Sequence, residues 1–215
     1  MLGSPRNFHY EFHLSNSGPF VDFCSRSPLD LEIGCGVGYH PIQYAKKNPS
    51  RSLIAIEKTR EKFLKFQRRF ENSESPSNLL PVQAHAVTWI VQNIRERSLE
   101  NIFLLYPNPY PKTSQQNLRW HRAPFMGFLL TRLKLGGKLR LATNEEFYRD
   151  EAKQFYIEAW GLELRSETQL GADERGRTHF EIKYLREGQP CWNLEFKSRD
   201  EKIRAQKDSN LRPSD

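Results

Sequence analysis

An apolar run, Leu29-Asp30-Leu31-Glu32-Ile33, leads straight into three alternating glycines, Gly34, Gly36 and Gly38. A second apolar run, Leu53-Ile54-Ala55-Ile56, ends on Glu57. Glycine carries no Cβ, so the backbone there can take positive φ and admit a ligand at close range. A carboxylate that closes the following strand can accept both hydroxyls of a ribose. Strand, glycine turn, helix, strand and acid together describe a site for a nucleoside-bearing cofactor at the carboxyl ends of adjacent parallel strands.

The remaining pattern agrees with such a sheet. Strand-like segments fall at 29–33, 53–57, 79–85, 102–106 and 138–143, and helical patterns lie between them at 42–47, 59–70, 87–94, 125–133 and 145–160. The alternation predicts an α/β fold, a doubly wound and mostly parallel sheet with helices on both faces. Segments 180–185 and 192–196 read as two further strands joined through 186–190, an antiparallel hairpin closing the sheet. One domain over 29–197 follows, with a partly irregular segment at 1–28 and a polar, frayed tail at 198–215. Within 59–70, Phe63, Phe66 and Phe70 share one helical face while Lys58, Lys62, Lys65 and Arg69 line another. The simple expectation is an amphipathic helix with a solvated basic side.

The chain has 33 basic and 26 acidic residues, a formal charge of +7. That excess suits a polyanionic partner, foremost nucleic acid. Cys24, Cys35 and Cys191 are odd in number and lack metal-binding spacing, so neither a disulfide framework nor a metal site is expected. Neither a leader with an apolar core nor an apolar run of membrane-spanning length is present in the sequence. The expectation is a cytoplasmic protein without a membrane partner, monomeric or homodimeric.

The glycine spacing, Gly-x-Gly-x-Gly with Glu32 two residues before the first, resembles the first motif of Rossmann-like methyltransferases that use S-adenosylmethionine. A second segment narrows the resemblance. Asn101-Ile102-Phe103-Leu104-Leu105-Tyr106 runs into Pro107-Asn108-Pro109-Tyr110-Pro111-Lys112, where three prolines fix a rigid loop after the fourth strand. This loop is similar to the Pro-Asp-Pro-Trp-Pro-Lys motif of the bacterial tRNA (guanine-N7) methyltransferase family. The likeness continues through Leu133-Lys134-Leu135-Gly136-Gly137-Lys138-Leu139, Ala142-Thr143-Asn144 and Thr178-His179-Phe180-Glu181.

The resemblance implies S-adenosyl-L-methionine as cofactor and tRNA as partner. It places Glu32, Gly34, Gly36, Gly38, Glu57, His85 and Asn108 on the cofactor side, with Glu57 on the ribose and His85 at the adenine amino group. Asn108 takes the catalytic position, and Lys112, Asn144, Thr178 and Glu181 take the substrate side. A carboxylate such as Glu181 can accept from both N1–H and N2–H of a guanine, leaving N7 free. Lys112, Arg119 and Arg122 make up the expected phosphate-contacting footprint.

Several positions depart from the family pattern. Asn108 replaces an acid in the proline loop, Asn144 replaces an acid after Thr143, and His85 replaces an acid before Ala86. The basic run that follows the family's loop becomes Thr113-Ser114-Gln115-Gln116-Asn117-Leu118. Guanine N7 has a free lone pair, so methylation there needs alignment and support of the developing positive charge rather than a general base. Asn108 supplies only a dipole, and loss of a charged hydrogen bond costs about 1.5–3 kcal/mol. Two alternatives stay open. Asn108-Pro109-Tyr110 partly resembles the Asn-Pro-Pro-Tyr motif of amino-nitrogen methyltransferases, and the missing acids also suit an RNA-binding module or partner subunit without transferase activity.

Overall fold

The computed structural model describes residues 8–9 and 20–198 apart from 172. The expectations for 1–28 and 198–215 therefore lie largely outside the described residues. The elements are α1 (Val21–Cys24), β1 (Leu29–Ile33), α2 (Tyr39–Lys47), β2 (Ser52–Glu57), α3 (Arg60–Glu71), β3 (Leu79–Gln83), α4 (Ala86–Asn93) and β4 (Leu99–Leu105). After two 3₁₀ turns, Thr113–Leu118 and Trp120–Arg122, come α5 (Phe125–Thr131), β5 (Leu133–Thr143), α6 (Glu146–Gln154), β6 (Glu163–Gln169), α7 (His179–Arg186) and β7 (Trp192–Lys197).

Seven strands form one sheet in the order β3-β2-β1-β4-β5-β7-β6. The first five in that order run parallel, with Ile33 beside Ile56 and Glu32 beside Phe103. Strand β7 is antiparallel to β5, and β6 is antiparallel to β7. Every residue of β1 and of β2 is buried, as a parallel sheet covered on both faces requires. Successive side chains serve opposite faces. Ile54 and Ile56 pack with Ile90, Phe125, Leu129 and Tyr156, whereas Leu53 and Ala55 pack with Ile42, Ala45 and Phe66. Helices α4, α5 and α6 thus cover one face, and α2 and α3 the other, which is the doubly wound arrangement.

The closing antiparallel pair is present, but its members differ from expectation. Segment 180–185 is helical, within α7, and the partner of β7 is β6. The helix follows from a start signal: the Thr178 hydroxyl accepts the Glu181 backbone N–H at 3.0 Å, the N-cap of a Thr-x-x-Glu box. Strand β6, Glu-Leu-Arg-Ser-Glu-Thr-Gln, lies at the sheet edge with five of its seven residues exposed, so it shows no apolar alternation. Two boundaries also shift. Helix α5 ends at Thr131 and β5 begins at Leu133, and α6 gives way to a π-helical turn over Phe155–Ala159.

Candidate active site

The strand order reverses between β1 and β4, and their carboxyl ends open the crevice where such sheets bind ligands. After β1 the chain turns through Gly34, Gly36 and Gly38 at φ 75°, 61° and 82°. The amides of Gly34 and Cys35 both donate to the Ile56 carbonyl, at 2.8 and 3.1 Å, which ties the loop to the end of β2. A Cβ built on Gly34 or Gly36 meets nothing within 4 Å, so open space borders both. At Gly38 the same atom would lie 2.0 Å from the Phe66 ring. Two glycines therefore front a cradle, and the third lets α3 pack against the start of α2.

Glu57 stands at the end of β2 as expected. Its Oε2 accepts the Gly36 N–H at 2.9 Å and its Oε1 accepts the Thr59 N–H at 2.7 Å. Each carboxylate oxygen keeps a second lone pair for a diol. Glu32 is buried, and its Oε2 lies 2.7 Å from His40 Nδ1, a bond that fixes the first turn of α2. His85 is exposed at the carboxyl end of β3, immediately before α4, with no side-chain cap bond. The free acceptor sites of Glu57 and the open cradle fit an adenosine-bearing cofactor.

Across the crevice, the proline loop is bracketed by Tyr106 and Tyr110 at φ 52° and 45°, values bulky residues rarely adopt and which cluster at functional sites. Asn108 is exposed, and its Oδ1 accepts the Tyr110 N–H at 3.1 Å. The loop is held by Arg119, only 7% exposed. Its Nε donates to the carbonyls of Pro109 and Tyr110 at 3.2 Å and its Nη2 to Tyr110 at 2.9 Å, while Nη1 pairs with Glu151 of α6. Arg122 pairs with the other oxygen of Glu151, and His121 Nε2 lies 3.1 Å from the same carboxylate. Burial raises the Glu151 carboxyl, but His121, Arg119 and Arg122 outweigh it and hold it at about 2. Burial lowers His121, which is therefore neutral at pH 7. Arg119 is thus committed to Glu151 and to the loop, which corrects its expected part in a phosphate footprint, whereas Arg122 pairs with Glu151 with 26% of its side chain exposed. Lys112 remains exposed.

Helix α7 borders the crevice. Tyr39 stacks on His179 with ring centroids 6.4 Å apart, and Tyr106 approaches Tyr184 at 5.6 Å. Glu181 is fully buried. Its Oε1 accepts from the Tyr106 hydroxyl at 2.9 Å and Arg177 Nη2 at 2.7 Å, and its Oε2 from Arg177 N and Nε at 2.6 and 3.0 Å. Those four bonds fill the acceptor sites of a carboxylate. Burial pushes the Glu181 carboxyl up, but Arg177 and Tyr106 hold it below the usual carboxylate range. Arg177 also donates to Asn193 Oδ1 in β7. Asn144 follows β5 and donates to Gln189 Oε1 at 3.0 Å.

A family profile described as "Putative methyltransferase" matches residues 26–194. A tRNA (guanine-N(7)-)-methyltransferase of Bordetella pertussis is 33% identical over 179 residues, 81% of this chain and 69% of that protein. The chain belongs to the tRNA (guanine-N(7)-)-methyltransferase family. A relative of the same name from Hyphomonas neptunium is 28% identical over 81% of this chain and 82% of its own length. Among solved structures, the 16S rRNA methyltransferase KamB superposes with a TM-score of 0.65 at 17% identity, over 87% of this chain and 95% of that one. At that identity the likeness concerns the fold.

Gly34, Gly36, Glu57 and His85, expected on the cofactor side, lie at or just beyond the carboxyl ends of β1, β2 and β3, and Asn108 lies in the loop that follows β4. Sequence reasoning missed Tyr106, Arg177 and Glu151. Tyr106 adjoins the proline loop and Arg177 adjoins Thr178, and that adjacency was the available signal. Among the described residues no group of three His, Cys, Asp or Glu could hold a metal, and no helix is long and apolar enough to cross a membrane.

Proposed function

We propose that this family member transfers the methyl group of S-adenosylmethionine to N7 of a guanine in tRNA. The observation that carries the reading is the pairing, at adjacent strands β1 and β4, of a glycine cradle open to a cofactor with a proline loop held rigid by Arg119. The relatives' names supply the substrate class.

Bound S-adenosylmethionine supplies an electrophilic methyl on a sulfonium. Gly34 and Gly36 leave room for it, Glu57 takes the ribose and His85 the adenine amino group. The guanine needs no base, because N7 already presents a lone pair. The chain's remaining tasks are to hold the purine in line and to stabilise its developing positive charge. Asn108 does so with a side-chain dipole from the proline loop, with Lys112 and Asn144 as further substrate-side residues. Glu181 contacts the base only if Arg177 or Tyr106 releases one of its oxygens. The amino-nitrogen alternative has less support, since the relatives' names specify guanine N7.

The test is incubation of unmodified tRNA with the protein and S-adenosylmethionine, followed by nucleoside mass spectrometry. The expected product is 7-methylguanosine, with Glu57→Ala weakening S-adenosylmethionine binding by about 1.5–3 kcal/mol. A product methylated on an exocyclic nitrogen, or cofactor binding without any methylated nucleoside, overturns the reading.

A further inference from the structure

Lys62, Lys65 and Arg69 recur at intervals of three and four residues, which sets them in one stripe along α3, and Lys58 stands just ahead of the N-cap Thr59. The stripe turns toward the crevice. Lys58 directly follows Glu57. The Arg69 guanidinium donates to the Val37 carbonyl of the glycine loop and lies 4.0 Å over the Tyr39 ring. Lys62 Nζ stands 5.8 Å over the Phe180 ring of α7. Arg69 is therefore spoken for, but Lys58, Lys62 and Lys65 are exposed. Among the described residues Lys58 and Lys62 form no ion pair, and Lys65 pairs only with Glu61, itself 77% exposed. Such an exposed pair holds its cation weakly and yields it readily to a stronger anion.

The opposite rim is poor in available charge. The turn Thr113–Leu118 contains no basic residue, and Arg119 and Arg122 are both engaged by Glu151, Arg119 from a buried position. Only Lys112 remains on that loop. A polyanion drawn to this crevice meets its free cations along α3.

We propose that the Lys58, Lys62 and Lys65 stripe is the docking surface for the tRNA phosphate backbone. Phosphates along the stripe would run beside the cofactor cradle, between α3 and α7, and deliver the acceptor base to the proline loop. The proposal rests on the methyl-transfer reading for the identity of the RNA, not for the existence of the surface.

The test is fluorescence anisotropy with labelled, unmodified tRNA across a salt series, comparing the wild type, the Lys58→Gln/Lys62→Gln/Lys65→Gln triple variant and Lys112→Gln. Removing one lysine that neutralises a phosphate lowers the log–log salt slope by about 0.7–0.9, so the triple variant should be shallower by about two units or more. Lys112→Gln should be shallower by about one unit at most. S-adenosylmethionine affinity and the melting temperature should stay as in the wild type, which separates docking from folding. An unchanged slope in the triple variant overturns the proposal, as does a wild type that does not bind tRNA. Stripe-dependent binding without 7-methylguanosine would leave the surface standing and remove the activity reading alone.

Discussion

Arg119 and Glu151, 32 residues apart, form a largely buried pair that ties the proline loop to helix α6. The other nitrogens of Arg119 hold the carbonyls of Pro109 and Tyr110. Lysine keeps the charge but not the planar fork, so Arg119→Lys cannot serve the carboxylate and the loop together. Losing one such charged bond costs about 1.5–3 kcal/mol. If the loop positions the base, kcat for tRNA methylation should fall roughly ten- to a hundred-fold in Arg119→Lys while cofactor affinity is unchanged. A variant that melts earlier yet turns over normally would show the pair to be structural only.

The same cluster sets an acid limit on stability. His121 and Glu151 are both held below their ordinary values of 6.5 and 4.5. A depressed group contributes stability that is intact above its ordinary value and is lost as the pH falls toward the folded one. Denaturant titrations should therefore show stability declining below about pH 6.5 as the histidine of the unfolded chain takes up a proton, and again from 4.5 toward about 2 as the glutamate does so. Glu151→Gln should be less stable at pH 7 and lack the lower step. A stability that is flat from pH 7 to pH 3 contradicts the assignment.

The three glycines should separate by substitution. Alanine at Gly36 meets open space and suffers only its left-handed backbone, about 1–2 kcal/mol. Alanine at Gly38 suffers that and also collides with Phe66, adding about 1–3 kcal/mol of overpacking. Gly38→Ala should melt well below Gly36→Ala, whereas Gly36→Ala should bind S-adenosylmethionine more weakly in proportion to its stability. Equal melting temperatures with equal affinities would mean that the loop does not divide these two tasks.

The cofactor half of the site was legible because its signals are local. Glycines follow a strand within a few residues, and Glu57 ends an uninterrupted apolar run. The clamp was not legible, since the burial of Arg119 depends on a carboxylate on a distant helix, and an isolated arginine in a basic chain looks like a phosphate contact. Helix α7 reads as a strand in the sequence because Phe180, Ile182 and Tyr184 alternate with polar residues. The cap from Thr178 to Glu181 outweighs that alternation, and those two residues carry a helix start as well as a family motif. Strand β6 left no apolar trace, as its outer edge pairs with no other strand of the sheet.

Asn108 decides the account most directly. Its Oδ1 accepts the Tyr110 N–H, a bond that an aspartate oxygen at the same position would keep, so Asn108→Asp should leave the loop intact while placing a carboxylate beside the developing cation. The measurement is the single-turnover rate of 7-methylguanosine formation in unmodified tRNA, wild type beside Asn108→Asp. Guanine-N7 transfer by a weakened electrostatic contribution requires the rate to rise, by up to roughly a hundred-fold. A rate that falls on restoring the acid, or that is zero in both proteins, would contradict it.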